Sequence, residues 1–532
     1  MNETMVRSSA DPARAHEKEV VIIGAGPGGL ASAMLLRHAG LRVRIIERLP
    51  HPGGRTSSFT GSGFKFALGP TIFIQPEVLA SIFTAVGRRL EDEVDLRRLD
   101  PMYRIHFGTQ GGSILCRSDK EKMREAIAAI APQDVEKLDR YFAENRRKLE
   151  VMTPVMERHC EGIWDWIAVA KHFATLRPWN SLDDDLKRYF SDARIRRAFS
   201  FHSKYLGMSP FNCPGMFSVL AYMEYETGVW HPIGGCASLT QAMYRVAKEM
   251  GVEIHLGESV EAIKFEGRRA VAVKTNRGEY TCDRLVVNAD FARAMTRLVP
   301  DEIRRTWKNE KIARSRFSCS TFMVYLGIDG RYDDLAHHTI WLPDDYERHL
   351  REIEEEHVLS DDPCFYVENA CITDPTLAPK GMSTLYTFAP VSHQHPNIDW
   401  KKEKARYRDL LVTKLAHVGI RDVERRIRYE RVVTPEDWDL SYQVHLGSVF
   451  NLAHSLGQLL SRRPMNRFDD LEGVYLVGGG THPGSGLPVI FQSARISSRL
   501  LLTDLGLDAS FIEAAEAPRP PIDLPARPAR AA

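Results

Sequence analysis

Paired cysteines are absent from this sequence. Its eight cysteines, Cys116, Cys160, Cys213, Cys236, Cys282, Cys319, Cys364 and Cys371, stand singly, and none forms a CxxC pair. No histidine–cysteine group has metal-motif spacing either, so a disulfide scaffold and a sequence-local zinc module are both excluded. The pattern fits reduced thiols in the cytoplasm. A charge imbalance is missing too: 71 Lys+Arg against 70 Asp+Glu leaves a formal +1. Nothing in that balance calls for a nucleic-acid partner. The longest apolar run, residues 20–36, is interrupted by Pro27 and several glycines, which suits a buried strand, a turn and a buried helix better than a bilayer crossing. The first seventeen residues are polar and lack the apolar segment of a secretory signal.

The composition, 43% hydrophobic and 27% charged, is that of a folded protein. A chain of this length exceeds one hydrophobic core, so two or more domains are expected. The closing stretch APRPPIDLPARPARAA is expected to be disordered.

Residues Glu19 to Ile23 form a short β-branched run, followed by GAGPGG, a helical pattern ending at Gly40, and the alternating LRVRIIE. This is a complete β–α–β unit. Gly24, Gly26 and Gly29 have the spacing G-x-G-x-x-G. The first permits a tight turn, the second lets the backbone approach a pyrophosphate, and the third lets the helix pack against the strand. The helix N-terminus offers unpaired N–H groups to phosphate. Glu47, eighteen residues after Gly29, is placed to accept hydrogen bonds from a ribose diol. Gly24, Gly26, Gly28, Gly29 and Glu47 are therefore candidate cofactor contacts.

Six residues past Glu47 begins GGR, comprising Gly53, Gly54 and Arg55, and then Thr56 and Ser57. A second glycine pair lets the backbone pass a cofactor, and Arg55 can reach a phosphate. Near the C-terminus, VYLV runs into Gly478, Gly479 and Gly480, then THPGSG, then Pro488 as the first residue of a helix. Backbone N–H groups of Val489 and Ile490 at that helix start would favour negative charge on a bound cofactor. Ser493, Ala494, Ser497 and Ser498 would let the helix approach another backbone closely.

The arrangement E-x5-GGR-x-S resembles the extended FAD-binding motif of amine-oxidase and carotenoid-desaturase flavoproteins. YLVGGGTHPGSGLPVIFQSARIS is similar to the C-terminal motif of the bacterial and fungal phytoene-desaturase family. FALGPTIF at 66–73, GVWHPIGG at 228–235, LVVNAD at 285–290 and RPMN at 463–466 resemble further family segments. The resemblance covers roughly residues 18–505. One departure is Ala67, where family members commonly carry Asp. That loss either marks another substrate or reaction, or is neutral.

The resemblance implies an α/β fold: a Rossmann-like FAD-binding domain with an inserted α+β substrate domain. The expected cofactor segments are 18–110, 230–300 and 470–506, the substrate segments 111–229 and 301–469, with 1–17 and 507–532 disordered. It places Gly54, Arg55, Val260, Gly479, Gly480, His482, Val489 and Ile490 at FAD, with Val260 contacting adenine through its backbone. No metal and no catalytic base is assigned. His482 is either a base or a structural residue of the cofactor loop.

The implied activity is desaturation of a linear isoprenoid, phytoene or its C30 counterpart, with electrons passing to oxygen or a quinone. An isomerase, a ketolase, a saturase or a squalene-related oxidase of the same fold is the alternative. A non-enzymatic prenyl-binding escort is disfavoured by the intact glycines. The lipophilic polyene implies a cytoplasmic protein held peripherally at the inner face of the cell membrane. Trp164, Trp166, Phe173 and Trp179, mixed with basic residues in 152–182, suit either a core or a membrane interface. YQVHLGSVFNLAHSLGQLL at 442–460 is a candidate tunnel lining, with His445 and His454 as structural residues.

Overall fold

A computed structural model describes residues 17–160 and 163–515. The expected disordered N-terminus, up to residue 16, and the tail from residue 516 lie outside the described residues, as does the side chain of Trp164.

The first β–α–β unit consists of β1 (Glu19–Ile23), α1 (Pro27–His38) and β2 (Arg42–Glu47). Later segments add α2 (Ala237–Glu249), β3 (Glu253–Leu256), β4 (Arg284–Val287), β5 (Val474–Leu476) and α3 (Leu487–Asp504). The five strands form one sheet in the order β5-β4-β1-β2-β3, parallel throughout. A parallel sheet is covered on both faces, which is why β1 is apolar at successive positions. Val20 and Ile22 pack with Leu30, Met34, Leu239 and Phe491 of α1, α2 and α3. Val21 and Ile23 point the other way, into a cluster with Ile263 and Val273 of a three-stranded antiparallel sheet over residues 260–281. The small residues of α3 serve close packing: Ser493 and Ala494 are wholly buried.

A second, seven-stranded sheet runs in the order Ile427–Val433, Ser320–Asp329, Met382–Val391, Phe365–Glu368, His338–Leu342, Tyr103–Phe107, Ser113–Cys116. One face packs on the helix Trp400–Lys414 through Phe322, Val324 and Leu326. Met323 and Tyr325, on the other face, join a core shared with the helices Lys137–Met156, Ala193–Ser200 and Val219–Thr227. The expected architecture of a Rossmann-like domain with an inserted α+β domain is what the chain forms.

Three boundaries differ from those expected. Tyr103–Phe107 pairs parallel with His338–Leu342, so the substrate sheet begins before residue 110. Trp307 and Ile312 pack in the cofactor-domain cluster, so that domain continues past 300. Residues Ser510–Ala514 form a helix with Ile512 buried beside Leu79 and Phe83, so order extends beyond 506.

Candidate functional site

The turn after β1 is closed by its own glycines. Gly24 has φ +99°, and a β-carbon on Gly29 would stand 2.1 Å from the Gly24 carbonyl oxygen. On Gly28 it would meet Val477 at 2.5 Å and Asn288 at 2.7 Å. These two glycines permit packing behind the turn, and neither lines the cavity. Gly24 and Gly26 do line it. The Glu47 carboxylate, 7% exposed, accepts from the N–H of Ala25 at 2.8 Å and of Leu49 at 2.7 Å. Its remaining lone pairs are available to a ribose.

The two distant glycine motifs meet because β5 and β1 flank β4. Val477 continues β5 against Gly28, and Asn288, just after β4, donates from Nδ2 to the Gly24 oxygen at 3.1 Å. Gly478, Gly479, Gly486, Leu487, Pro488 and Ile490 line the same cavity as Gly24 and Gly26. The start of α3 is thereby directed at the space that α1 also faces. Gly480 instead backs onto Phe291, at 2.9 Å from an added β-carbon, Val489 is not on the wall, and the Ile490 N–H is taken by the Gly486 carbonyl at 2.9 Å, so it is not offered to a cofactor.

Arg55 lines the cavity with Gly54 and donates to the Val449 carbonyl at 2.6 Å. The Asn451 amide, oriented to suit both neighbours, donates to Asp290 Oδ2 at 2.8 Å and accepts from Arg55 Nη1 at 3.3 Å. Burial holds the Arg55 guanidinium below its ordinary range, against the pull of Asp290. A buried cation of this kind suits an anionic ligand. Val260 lies on the wall between Ser259 and Glu261.

His482 is turned away. Its Nε2 meets the carbonyls of Val155 at 3.1 Å and Arg158 at 3.0 Å, and burial pushes its pKa down to about 4. It is absent from the cavity wall, so its place in the cofactor loop is structural.

The cavity, about 970 Å³, is continuous. One end is the glycine cradle; the other is walled by Met323, Ile340, Leu342, Phe365, Tyr366 and Phe388 from the second sheet. The wall carboxylates Glu47, Glu258, Glu261 and Asp290 all come from the cofactor segments. A dinucleotide fits the first end: Gly26 on the wall with no side chain to bar a close approach, an acid at the end of β2, and two helix starts.

The profile described as flavin containing amine oxidoreductase matches residues 27–502. The chain belongs to the flavin-containing amine oxidoreductase family, and its cofactor is FAD. It is 38% identical over 493 residues to a 4,4'-diapophytoene desaturase (4,4'-diapolycopene-forming) from Methylomonas sp, covering 92% of this chain and 96% of that one. It is also 38% identical over 498 residues to an all-trans-zeta-carotene desaturase from Myxococcus xanthus, covering 92% and 94%. Among solved structures, an oxidoreductase from Methanosarcina mazei shares the fold, with TM-score 0.61 at 19% identity over 90% of this chain and 98% of that one.

Several residues of this amine-oxidoreductase site have roles that sequence patterns do not state. Arg463 is buried and donates to the carbonyls of Gly479 at 2.7 Å, Thr481 at 3.2 Å and Leu452 at 3.2 Å, fixing the C-terminal loop from below. His454 Nε2 accepts from the Ser485 N–H at 3.2 Å, a positioning role. His445 lies off the cavity wall, its ring 4.9 Å from Phe317. Ala67 ends a strand paired with Ser58 and is also off the wall. Of the candidate lining 442–460, residues Tyr442, Gln443, Val444, Val449, Phe450 and Asn451 reach the cavity. Asn288 and Arg463 lay within motifs visible in the sequence, but only the fold gives them partners.

Proposed function

We propose that this flavoprotein desaturates a linear isoprenoid, phytoene or its C30 counterpart, by removing hydrogen from adjacent carbons. The observation that carries this reading is the cavity joining the dinucleotide cradle to a mostly apolar wall of aliphatic and aromatic side chains, in which Lys204 is the cation contributed by the substrate segments. FAD, when bound, supplies the two-electron oxidation. The protein's part is to hold a featureless hydrocarbon against the cofactor and exclude water. Met323, Ile340, Leu342, Phe365 and Phe388 offer no hydrogen bonds, which suits a ligand with none to make. The start of α3, at Gly486–Ile490, favours negative charge by ~0.3–1 kcal/mol. The names of the relatives from Methylomonas and Myxococcus support the same substrate class. His482, turned into protein carbonyls, is not the proton acceptor in this reading.

Docking on a membrane belongs to the same reading. A polyene dissolved in a bilayer is already out of water, so entering a cavity gains little of the ~0.8 kcal/mol per CH₂ available from water. The protein must therefore meet its substrate at the bilayer. Ile167 and Trp179 are 53% and 64% exposed, and Arg462 stacks over Trp166 at 5.0 Å. Apolar and basic groups together suit a lipid interface. Among the described residues no helix is long and apolar enough to cross a membrane. In this reading the protein attaches peripherally at the inner face of the cell membrane and delivers electrons to oxygen or to a membrane quinone.

The test uses the purified protein with anaerobic liposomes holding phytoene, diapophytoene or squalene. Flavin bleaching accompanied by a new conjugated product from one lipid is expected. Bound flavin that none of them reduces would overturn desaturation.

A further inference from the structure

We propose that His231, His337 and Glu368 form a divalent-cation site, with zinc the cation that their donors fit. It lies behind the cavity wall and does not depend on which substrate the cavity takes.

The three residues come from separate segments: the short strand Trp230–Pro232, the residue before His338–Leu342, and the end of Phe365–Glu368. The last two strands pair His338 opposite Glu368, which brings His337 beside the carboxylate. One donor atom from each of the three lies within 4.8 Å of the others, and all three residues are buried. Donors around zinc at ~2.0–2.1 Å stand roughly 3.3 Å apart, so small side-chain rotations bring the three donors onto one cation, with the fourth position left to water.

Each imidazole is gripped from behind. Asp374 Oδ2 lies 3.2 Å from His231 Nε2, and Asp374 is itself fixed by the Gly234 N–H at 2.6 Å and by Thr376 Oγ1 at 2.5 Å. Thr373 Oγ1 lies 2.9 Å from His337 Nδ1. The other nitrogens, His231 Nδ1 and His337 Nε2, are buried without a hydrogen-bond partner. His337 Nε2 faces Glu368 Oε1 at 3.5 Å, with no hydrogen bond between them. A buried polar atom left unpaired costs about 1–3 kcal/mol, and here there are two, on imidazoles that each bring a donor atom within 4.8 Å of the same carboxylate. An outer carboxylate or hydroxyl holding one nitrogen while the other is free is the way metal-bound histidines are oriented. Two imidazoles and a carboxylate match zinc or a neighbouring first-row metal rather than magnesium or calcium.

The site has a structural consequence. Tyr366, two residues before Glu368, bonds His338 Nδ1 at 2.6 Å and Thr71 Oγ1 at 2.7 Å, and both Tyr366 and Thr71 line the cavity. A cation would tie the strand entering α2 to the two strands that carry this wall. No motif spacing reveals it, because the ligands are far apart in sequence.

The test takes the flavin-loaded protein, measures bound metal by plasma mass spectrometry, then strips it with a chelator and titrates Zn²⁺ during thermal unfolding. About one zinc per chain and a zinc-dependent rise in Tm are expected. Loss of an outer-shell partner alone weakens metal sites 10–100-fold, so Glu368→Gln and His337→Gln should each weaken zinc by about 100-fold or more. Their flavin spectra should stay unchanged. Zinc-edge absorption of the wild type should show a nitrogen and oxygen shell, and it decides the matter if a variant fails to fold. A wild type that binds no zinc, variants that bind it equally well, or a sulfur-containing shell would overturn the proposal.

Discussion

Asn288 reaches from the end of β4 to the turn after β1, its Nδ2 donating to the Gly24 carbonyl at 3.1 Å. Its Oδ1 would lie 2.7 Å from a β-carbon on Gly28 and 3.7 Å from one on Gly478. One side chain thus ties together both halves of the cofactor cradle. Removing it in Asn288→Ala loses a hydrogen bond of about 0.5–1.5 kcal/mol, so FAD affinity should fall roughly 3- to 10-fold. Asn288→Asp should be worse, because it sets a carboxylate against the Gly24 oxygen and a bound pyrophosphate. Flavin titration of the apoprotein measures both. Equal affinity in all three proteins would refute this role.

Gly26 and Gly29 should fail in different ways. A β-carbon at Gly29 would overlap the Gly24 carbonyl at 2.1 Å, whereas at Gly26 the nearest atom is Asn288 Nδ2 at 3.2 Å. Gly29→Ala is therefore expected to prevent the turn from closing and to give little folded protein. Gly26→Val is expected to fold, with near-native circular dichroism, yet retain no flavin. Full flavin in Gly26→Val would remove the pyrophosphate from this turn.

Much of this site is legible in the sequence because its constraints are local. Glycine spacing after a β-branched run reports a steric requirement, and Glu47 follows from the length of α1 and β2. The meeting with Gly478 and Gly479 needs β5 to lie two strands from β1, which no local pattern states. Arg55 finds its partner near Asn451, far along the chain, and alternation in Tyr103–Phe107 signals a strand without saying which sheet it joins. The direction of the His482 ring depends on the packed end of the helix Lys137–Met156, so the resemblance of its loop implied a cofactor contact that the fold does not make. Ile512 shows the same limit at the other end: an apolar residue near a proline-rich tail is buried beside Leu79 and Phe83 of the helix Pro76–Ala85.

His482 makes acid stability a test of its burial. Its pKa falls from the usual 6.5 to about 4 in the folded protein, so between those values the unfolded chain binds more protons. Stability therefore decreases as pH drops from 6.5 toward 4. At one pKa unit per 1.36 kcal/mol, this residue accounts for about 2 kcal/mol lost between pH 7.5 and 5. His482→Gln should flatten that slope in denaturant unfolding measured across the range. An unchanged slope would mean the ring is not buried neutral.

Arg463 should matter for the loop rather than for chemistry. It offers donors to the carbonyls of Gly479, Thr481 and Leu452, and burial alone pushes its pKa down to about 9. Arg463→Met leaves those carbonyls unpaired at about 1–3 kcal/mol each, so a loss of at least 3 kcal/mol is expected. Arg463→Lys keeps a charge but not the planar fork, and should recover only part of it. Melting and flavin release should shift together, since the same loop lines the cofactor cavity. If melting falls while flavin affinity holds, the loop is not what orders the cofactor.

The exposed residues of the helix Ile163–Ala170 and its neighbour give the sharpest test of membrane docking. Ile167 and Trp179 are 53% and 64% exposed, so the folded protein gains little from them, and polar replacements should change stability by less than about 0.5 kcal/mol. Burying a large apolar side chain in a bilayer contributes about 1.5–3 kcal/mol. Each of Ile167→Glu and Trp179→Glu should therefore weaken liposome binding by roughly 10- to 100-fold, more on anionic lipid, where the new carboxylate is repelled. Arg462→Glu should remove the basic partner of Trp166 and add salt sensitivity to the loss. Sedimentation with vesicles, beside flavin content and Tm, separates the readings: lost binding with intact flavin and melting places the bilayer at this face. Undiminished binding in a variant combining Ile167→Glu, Trp179→Glu and Arg462→Glu would move the docking face elsewhere, with the cavity assignment left standing.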